Sequence, residues 1–186
     1  AGVLSSQAVT ITNSGSFTIT ATNSAGAQTG TSTSFTVGAG TLHHFLVEES
    51  GGGAISEKTA GTSFNIQITA QDANNNTVTS FSGTGNKAVL TSTGTLTGAP
   101  ITTGNFTNGV LATQAATITN VGTFTITAAR SGGAEPGTSA AFTVVVGAPS
   151  ATQSTATVPA GTSGSVTTIA VQAKDAQGNL RTTTSG

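Results

Sequence analysis

Cysteine, methionine, tryptophan and tyrosine are all absent from this chain, and only 6% of its 186 residues are charged. The missing thiols exclude disulfides and thiolate metal sites. The few cations, Lys58, Lys87, Arg130, Lys174 and Arg181, are scattered and leave a formal net charge of −1. Nothing there forms the basic stripe with which a protein neutralises phosphates, so nucleic acid is not an expected partner. The longest apolar run, around Phe142 to Val146, is far too short for a transmembrane helix, and membrane insertion of this segment is not expected. No secretory signal opens the chain.

The chain nonetheless has enough apolar material to fold. Hydrophobic residues make up 35% of it, more than a disordered polar tract carries. The polar remainder is mainly Thr, Ser, Asn, Gln and Gly. Branched Thr suits strands, and Gly and Asn suit turns, so an all-β protein is expected.

Sliding the chain along itself lays Gly2–Gly38 onto the stretch that starts at Gly109, with 24 of 37 positions identical. A second match lays Ala60 onto Ala160 and, after a three-residue insertion, Asp72 onto Asp175. The repeat is therefore about 105 residues long, the size of one β-sandwich domain. Residues 41–147 form one complete unit, 1–40 the closing part of another and 148–186 the opening part of a third. The ends are expected to belong to units continued outside the chain. Completion of one end by the other between molecules would leave the counterpart of Thr84 to Asn108 missing.

Period-two alternation marks strands at Phe64–Ala70, Phe124–Ala128 and Ala140–Val144, and weaker patterns mark Leu42–Glu48, Val78–Phe81, Lys87–Thr91 and Val110–Ile118. About seven strands with one wet face predict two antiparallel sheets packed together. Turns recur with the repeat: Asn13-Ser14-Gly15 matches Asn120-Val121-Gly122. Asp72–Asn76 matches Asp175–Asn179, with Asn75 aligned to Gly178, and both of these residue types tolerate positive φ.

The succession AGTSFNIQITAQDANNNTV from Ala60, Asn108-Gly109-Val110, and GTFTITA from Gly122 resembles bacterial immunoglobulin-like repeats of the invasin, intimin and filamin type. The resemblance implies tandem immunoglobulin-like β-sandwiches in a secreted surface protein, and specifies architecture rather than ligand. Where such folds carry a corner tyrosine this chain has Phe17 and Phe124, so the corner hydroxyl bond is missing.

Candidate chemistry is sparse. His43 and His44 are adjacent, and neighbours within a strand point to opposite faces, so joint chelation is not expected. No Gly-x-Ser-x-Gly elbow accompanies them, and no catalytic residue is assigned. Asp72, Asn74 and Asn76 have the spacing that opens a calcium loop, but Thr77 and Gly83 stand where its glycine and closing acid belong. A turn held by Asx side chains is the expected reading, with calcium as the alternative and no other cofactor. Glu48, Glu49 and Glu57 could add carboxylates at a junction, although the next repeat offers none. Gly51-Gly52-Gly53, with no following Lys, reads as a bend rather than a phosphate cradle. Asn75 and Asn105 open glycosylation sequons. Some of the folds this chain resembles carry a Lys-Asn crosslink, for which Lys58, Lys87 and Lys174 are the candidates, but Lys174 matches Gln71 in the other copy, which argues against a general crosslink.

The connectors Gly38-Ala39-Gly40 and Gly147-Ala148-Pro149 are so short that consecutive units must sit nearly end to end. The expected role is that of a structural repeat in an extracellular stalk or self-associating filament, with neighbouring repeats or further copies as partners. An adhesin that binds carbohydrate or a host protein, and a non-catalytic spacer in a secreted enzyme, are the rival readings.

Overall fold

The computed structural model describes Gly2 to Thr182, so the outermost residues of the first and last sequence units lie outside the described residues. Sixteen strands and no helix occur among the described residues. In the first segment they are β1 Gly15–Phe17, β2 Thr20–Thr22, β3 Thr29–Thr31 and β4 Phe35–Val37. The central segment contains β5 His44–Glu49, β6 Lys58–Thr59, β7 Phe64–Gln71, β8 Ala88–Ser92, β9 Ile101–Thr102, β10 Val110–Ala116, β11 Gly122–Phe124, β12 Ile126–Arg130, β13 Pro136–Thr138 and β14 Phe142–Val145. The last segment adds β15 Thr155–Thr157 and β16 Ala170–Gln172.

Central strands pair in the orders β10-β7-β5, β13-β12-β8-β9 and β11-β14-β6. The last two groups share one long hairpin, because β11 and β12 run on through Thr125 while β13 and β14 return beside them. A serine re-aims this hairpin where the ladder breaks. The Ile126 N–H donates to Ser139 Oγ at 3.0 Å, and the Ser139 N–H donates to the Ile126 carbonyl at 2.9 Å. The same exchange joins Ile19 to Ser32, both contacts at 2.9 Å, so the repeated sequence builds the same kink twice. All strand pairs are antiparallel except β6 with β14, which is parallel.

Alternation puts Phe45 and Val47 of β5, Ile66, Ile68 and Ala70 of β7, Ala88 and Leu90 of β8, Ile126 and Ala128 of β12, and Phe142 and Val144 of β14 into one buried cluster. Phe45, Phe81 and Phe106 close one end of it, the rings of Phe81 and Phe106 meeting edge to face at 4.9 Å. Several matched residues outside the central segment are more open: Ile126 is 0% exposed and Ile19 40%, while Ile68 is 0% and Val171 71%. Short strand pairs form in all three segments, but Val3–Val9, the counterpart of β10 in the first segment, is not a strand. Only in the central one, among the described residues, are both faces brought together.

Three expectations change. Val78–Phe81 is a turn, not a strand; both of its apolar ends are buried because a tight turn folds Phe81 back onto Phe45. The stretch expected to run to Ile118 pairs with β7 only as far as Ala116, with a register shift between Leu111 and Gln114, and Ile118 then forms a separate bridge with Leu96. Short strands β6, β9 and β13, two or three residues each, carry too little alternation to be read from sequence.

At Gly137 the backbone of β5 lies so close that a Cβ there would overlap the Phe45 carbonyl, whereas the matched Gly30 has nothing within 4 Å. Gly137→Ala should therefore lower the unfolding free energy of the central segment by about 3 kcal/mol, as overpacking against backbone does. Gly30→Ala should leave that transition unchanged. Denaturant melts of the two variants check the contrast.

Candidate functional site

The features most completely built from polar side chains are two turns, each at the end of a short connector. In the first, Asp72 follows directly on β7, and its side chain organises the five residues to Asn76. Asp72 Oδ1 accepts the N–H groups of Asn74 at 2.8 Å and Asn76 at 2.9 Å, and the main chain closes with Asp72 N–H to the Asn76 carbonyl at 3.0 Å. Asn75 occupies the left-handed region at φ 64°, which Asn tolerates. The carboxylate then reaches out of its own turn: Oδ2 accepts the Gly40 N–H of the connector at 2.7 Å. Asn76 Nδ2 donates to that same carboxylate, at 3.0 Å to Oδ2, and also to the Thr12 carbonyl at 2.7 Å, while its Oδ1 accepts the Ser14 N–H at 2.8 Å.

The second turn repeats this arrangement. Asp175 Oδ1 accepts Gln177 N–H at 3.0 Å and Asn179 N–H at 2.8 Å, and its Oδ2 accepts the connector Gly147 N–H at 3.1 Å. Asn179 Nδ2 donates to Asp175 Oδ2 and to the Thr119 carbonyl, both at 2.8 Å. Gly178 takes the left-handed place of Asn75, at φ 85°. Arg181 adds a donation from its guanidinium to the Gly147 carbonyl.

Asp72 and Asp175 are 3% and 0% exposed, yet no buried polar side-chain atom among the described residues is without a partner. Asp72 is held below the ordinary carboxylate range, first by the Asn76 amide and then by the Gly40 N–H. For Asp175 burial is the largest influence and pushes upward, but Asn179 and the N–H groups of Gly147, Asn179 and Gln177 outweigh it, and the net shift is also downward.

The calcium candidates all lie in the first turn. Everything that approaches Asp72 there is an N–H donor: Asn74 supplies its main-chain N–H, and Asn76 turns its amide nitrogen, not its oxygen, toward the carboxylate. That polarity is the reverse of the oxygen shell a hard cation needs. No group of three or more His, Cys, Asp or Glu side chains converges among the described residues.

Glu48 and Glu49 serve the loop between β5 and β6. Glu48 accepts the Gly53 N–H at 3.0 Å, and Glu49 accepts the Ser56 N–H at 2.9 Å and pairs with Lys58. Lys58, with the Ser56 N–H next, lowers the Glu49 pKa to about 2. Lys58 also lies 5.5 Å from the Phe64 ring centre. Gly51, Gly52 and Gly53 all take positive φ, at 98°, 96° and 90°, which makes this triplet a bend.

For the histidines the geometry differs from the opposite-face expectation. Strand β5 starts at His44, although the His43 N–H already donates to the Gln71 carbonyl of β7 at 2.8 Å, and the two Nδ1 atoms stand 3.2 Å apart. Among the described residues no carboxylate joins them. A hollow of about 260 Å³ beside Leu42, Val78, Phe81 and Arg130 likewise collects no acid or histidine.

No protein-family model matches the chain, and no curated protein matches it. Among solved structures, domains 4-9 of surface layer protein SbsC are similar at 22% identity over 84% of this chain and 23% of that one, with TM-score 0.38. Domains 1-6 of the same protein give 19% identity over 82% and 19%, with TM-score 0.34. The crystal structure of rSbsC(31-844) gives 17% over 85% and 19%, also at 0.34. The chain spans about a fifth of the length of these structures. At such TM-scores the likeness assigns neither fold nor function to this chain.

Sequence reasoning found the Asp72 and Asp175 turns but missed what they hold. The signal was available: Thr12 and Thr119, like Gly40 and Gly147, are 107 residues apart, the repeat offset itself. Because both aspartates bind protons more weakly in the folded chain than at the ordinary value of 3.8, their stabilisation is complete above that value and is lost as pH falls below it toward the folded pKa. The melting temperature should fall on acidification below pH 4. It should fall less in an Asp72→Asn, Asp175→Asn double variant, which has already lost the contribution at neutral pH. Paired thermal melts across pH 2 to 7 read the difference.

Proposed function

We propose that this chain is a run of immunoglobulin-like modules (1–40 the closing part of one, 41–147 complete, 148–186 the opening part of the next) acting as a non-catalytic structural stalk at a cell exterior. One observation carries the reading: two successive connectors end in the same hydrogen-bonded joint, from Asp72 and Asn76 to Gly40 and Thr12, and from Asp175 and Asn179 to Gly147 and Thr119. A joint repeated at the repeat spacing fixes successive modules in one relation, and a fixed relation applied repeatedly generates a rod.

The module type is supported by the two-sheet core and by the way the first strand of the central segment, β5, lies antiparallel to β7 while β6 crosses to run parallel to β14. The partners are neighbouring modules and, through the sparsely charged sheet surfaces, further copies of the chain. The joints hold by hydrogen bonds from nitrogen donors and need no calcium.

Small-angle X-ray scattering should give the profile of an elongated particle with a cross-section of a single sandwich. A compact globule in which the segments fold back on one another would contradict the stalk. Adding a chelator should leave the melting temperature where it was, and a drop of several degrees would make the Asp72 turn a cation site.

A further inference from the structure

At both joints the hydrogen bonds run one way in chemical kind. On the incoming side the groups are side chains: Asp72 and Asn76 at the first joint, Asp175, Asn179 and Arg181 at the second. On the outgoing side every partner is main chain: the N–H groups of Gly40 and Ser14 and the carbonyl of Thr12, then the N–H and carbonyl of Gly147 and the carbonyl of Thr119. The outgoing surface is also bare. The crevice at the second joint is lined by Thr59, Ala60, Gly61, Thr62, Gly147 and Ala148, and the Gln177 side chain lies over Gly61 in space that a Cβ would occupy.

From this asymmetry we propose that the closing end of a module is a docking surface read through its main chain, and that Asp and Asn at the first and fifth positions of the incoming turn, the side chains common to both joints, determine which segment it accepts. The inference rests on the stalk reading and specifies the partner: any module of this kind that presents Asp-x-x-x-Asn behind a glycine-ended or glycine-begun connector. Main-chain groups survive any substitution except proline, so apart from Gly61, whose missing Cβ leaves the space that Gln177 fills, closing ends can diverge without losing the joint. The two receiving strand ends already differ, Ser14 standing in one where Val121 stands in the other, while Asp and Asn are the same in both incoming turns. Modules become interchangeable in order.

The chain has no cysteine, so Ser131→Cys and Thr157→Cys place one spin label on each side of the second joint without competing sites. Electron–electron double resonance on the full chain should give one narrow distance distribution. Asn179→Asp replaces the amide donor with a second carboxylate facing Asp175 and the Thr119 carbonyl, and should raise the population outside the main peak about tenfold, as losing a partner for a buried polar group does. Asn179→Ala should do the same without the added charge, which guards against charge repulsion as the sole cause. Thr119→Val changes the receiving side chain but keeps its carbonyl, and should leave the distribution unaltered.

The central segment's melting transition is followed in each variant to confirm that it stays folded. Broadening by Thr119→Val equal to that of Asn179→Asp, or a narrow distribution in both Asn179 variants, would overturn the one-sided code while leaving the stalk intact. A broad distribution in the unsubstituted chain would instead overturn the stalk reading itself.

Discussion

A carboxylate withdrawn from water must have its oxygens filled by donors, and that constraint organises this molecule beyond its sandwich core. Asp72 and Asp175 draw in the N–H groups of their own turns, an asparagine amide and a connector glycine. Each bond to the connector also ties the turn to the segment that precedes it. Local turn formation and contact with the preceding segment are thus satisfied by the same atoms. A chain with only 6% charged residues has placed two of its six acids where hydrogen bonding, not solubility, is their use.

The β architecture was legible because it depends on local rules. Alternation located the buried faces of β7, β12 and β14, and the internal match located the turns. What escaped was set by long-range packing. Val78 and Phe81 read as strand residues because they are apolar, yet their burial comes from a turn that sets Phe81 edge to face against Phe106. The parallel β6 is two residues long and owes its place to β14 rather than to any pattern of its own.

The candidate site was half legible, for a similar reason. Asp-x-x-x-Asn announces an Asx turn, and that much follows from side-chain reach. The far end of the same contacts consists of main-chain groups, which carry no sequence signal at all; only the shared offset of Thr12 with Thr119 and of Gly40 with Gly147 betrays them. His43 and His44 show the converse case, in which a strand rule was applied one residue too early and the two rings lie together at the mouth of β5.

Carboxylates clamp both connectors, and amide hydrogen exchange at Gly40 and Gly147 reads the clamps themselves. If the clamps hold, both amides exchange far more slowly than an exposed glycine, with protection approaching that of the strands they join. Exchange at the unprotected rate at either glycine, with the core strands still protected, would mean that the connectors swing freely and that the joints do not set the relation of one segment to the next.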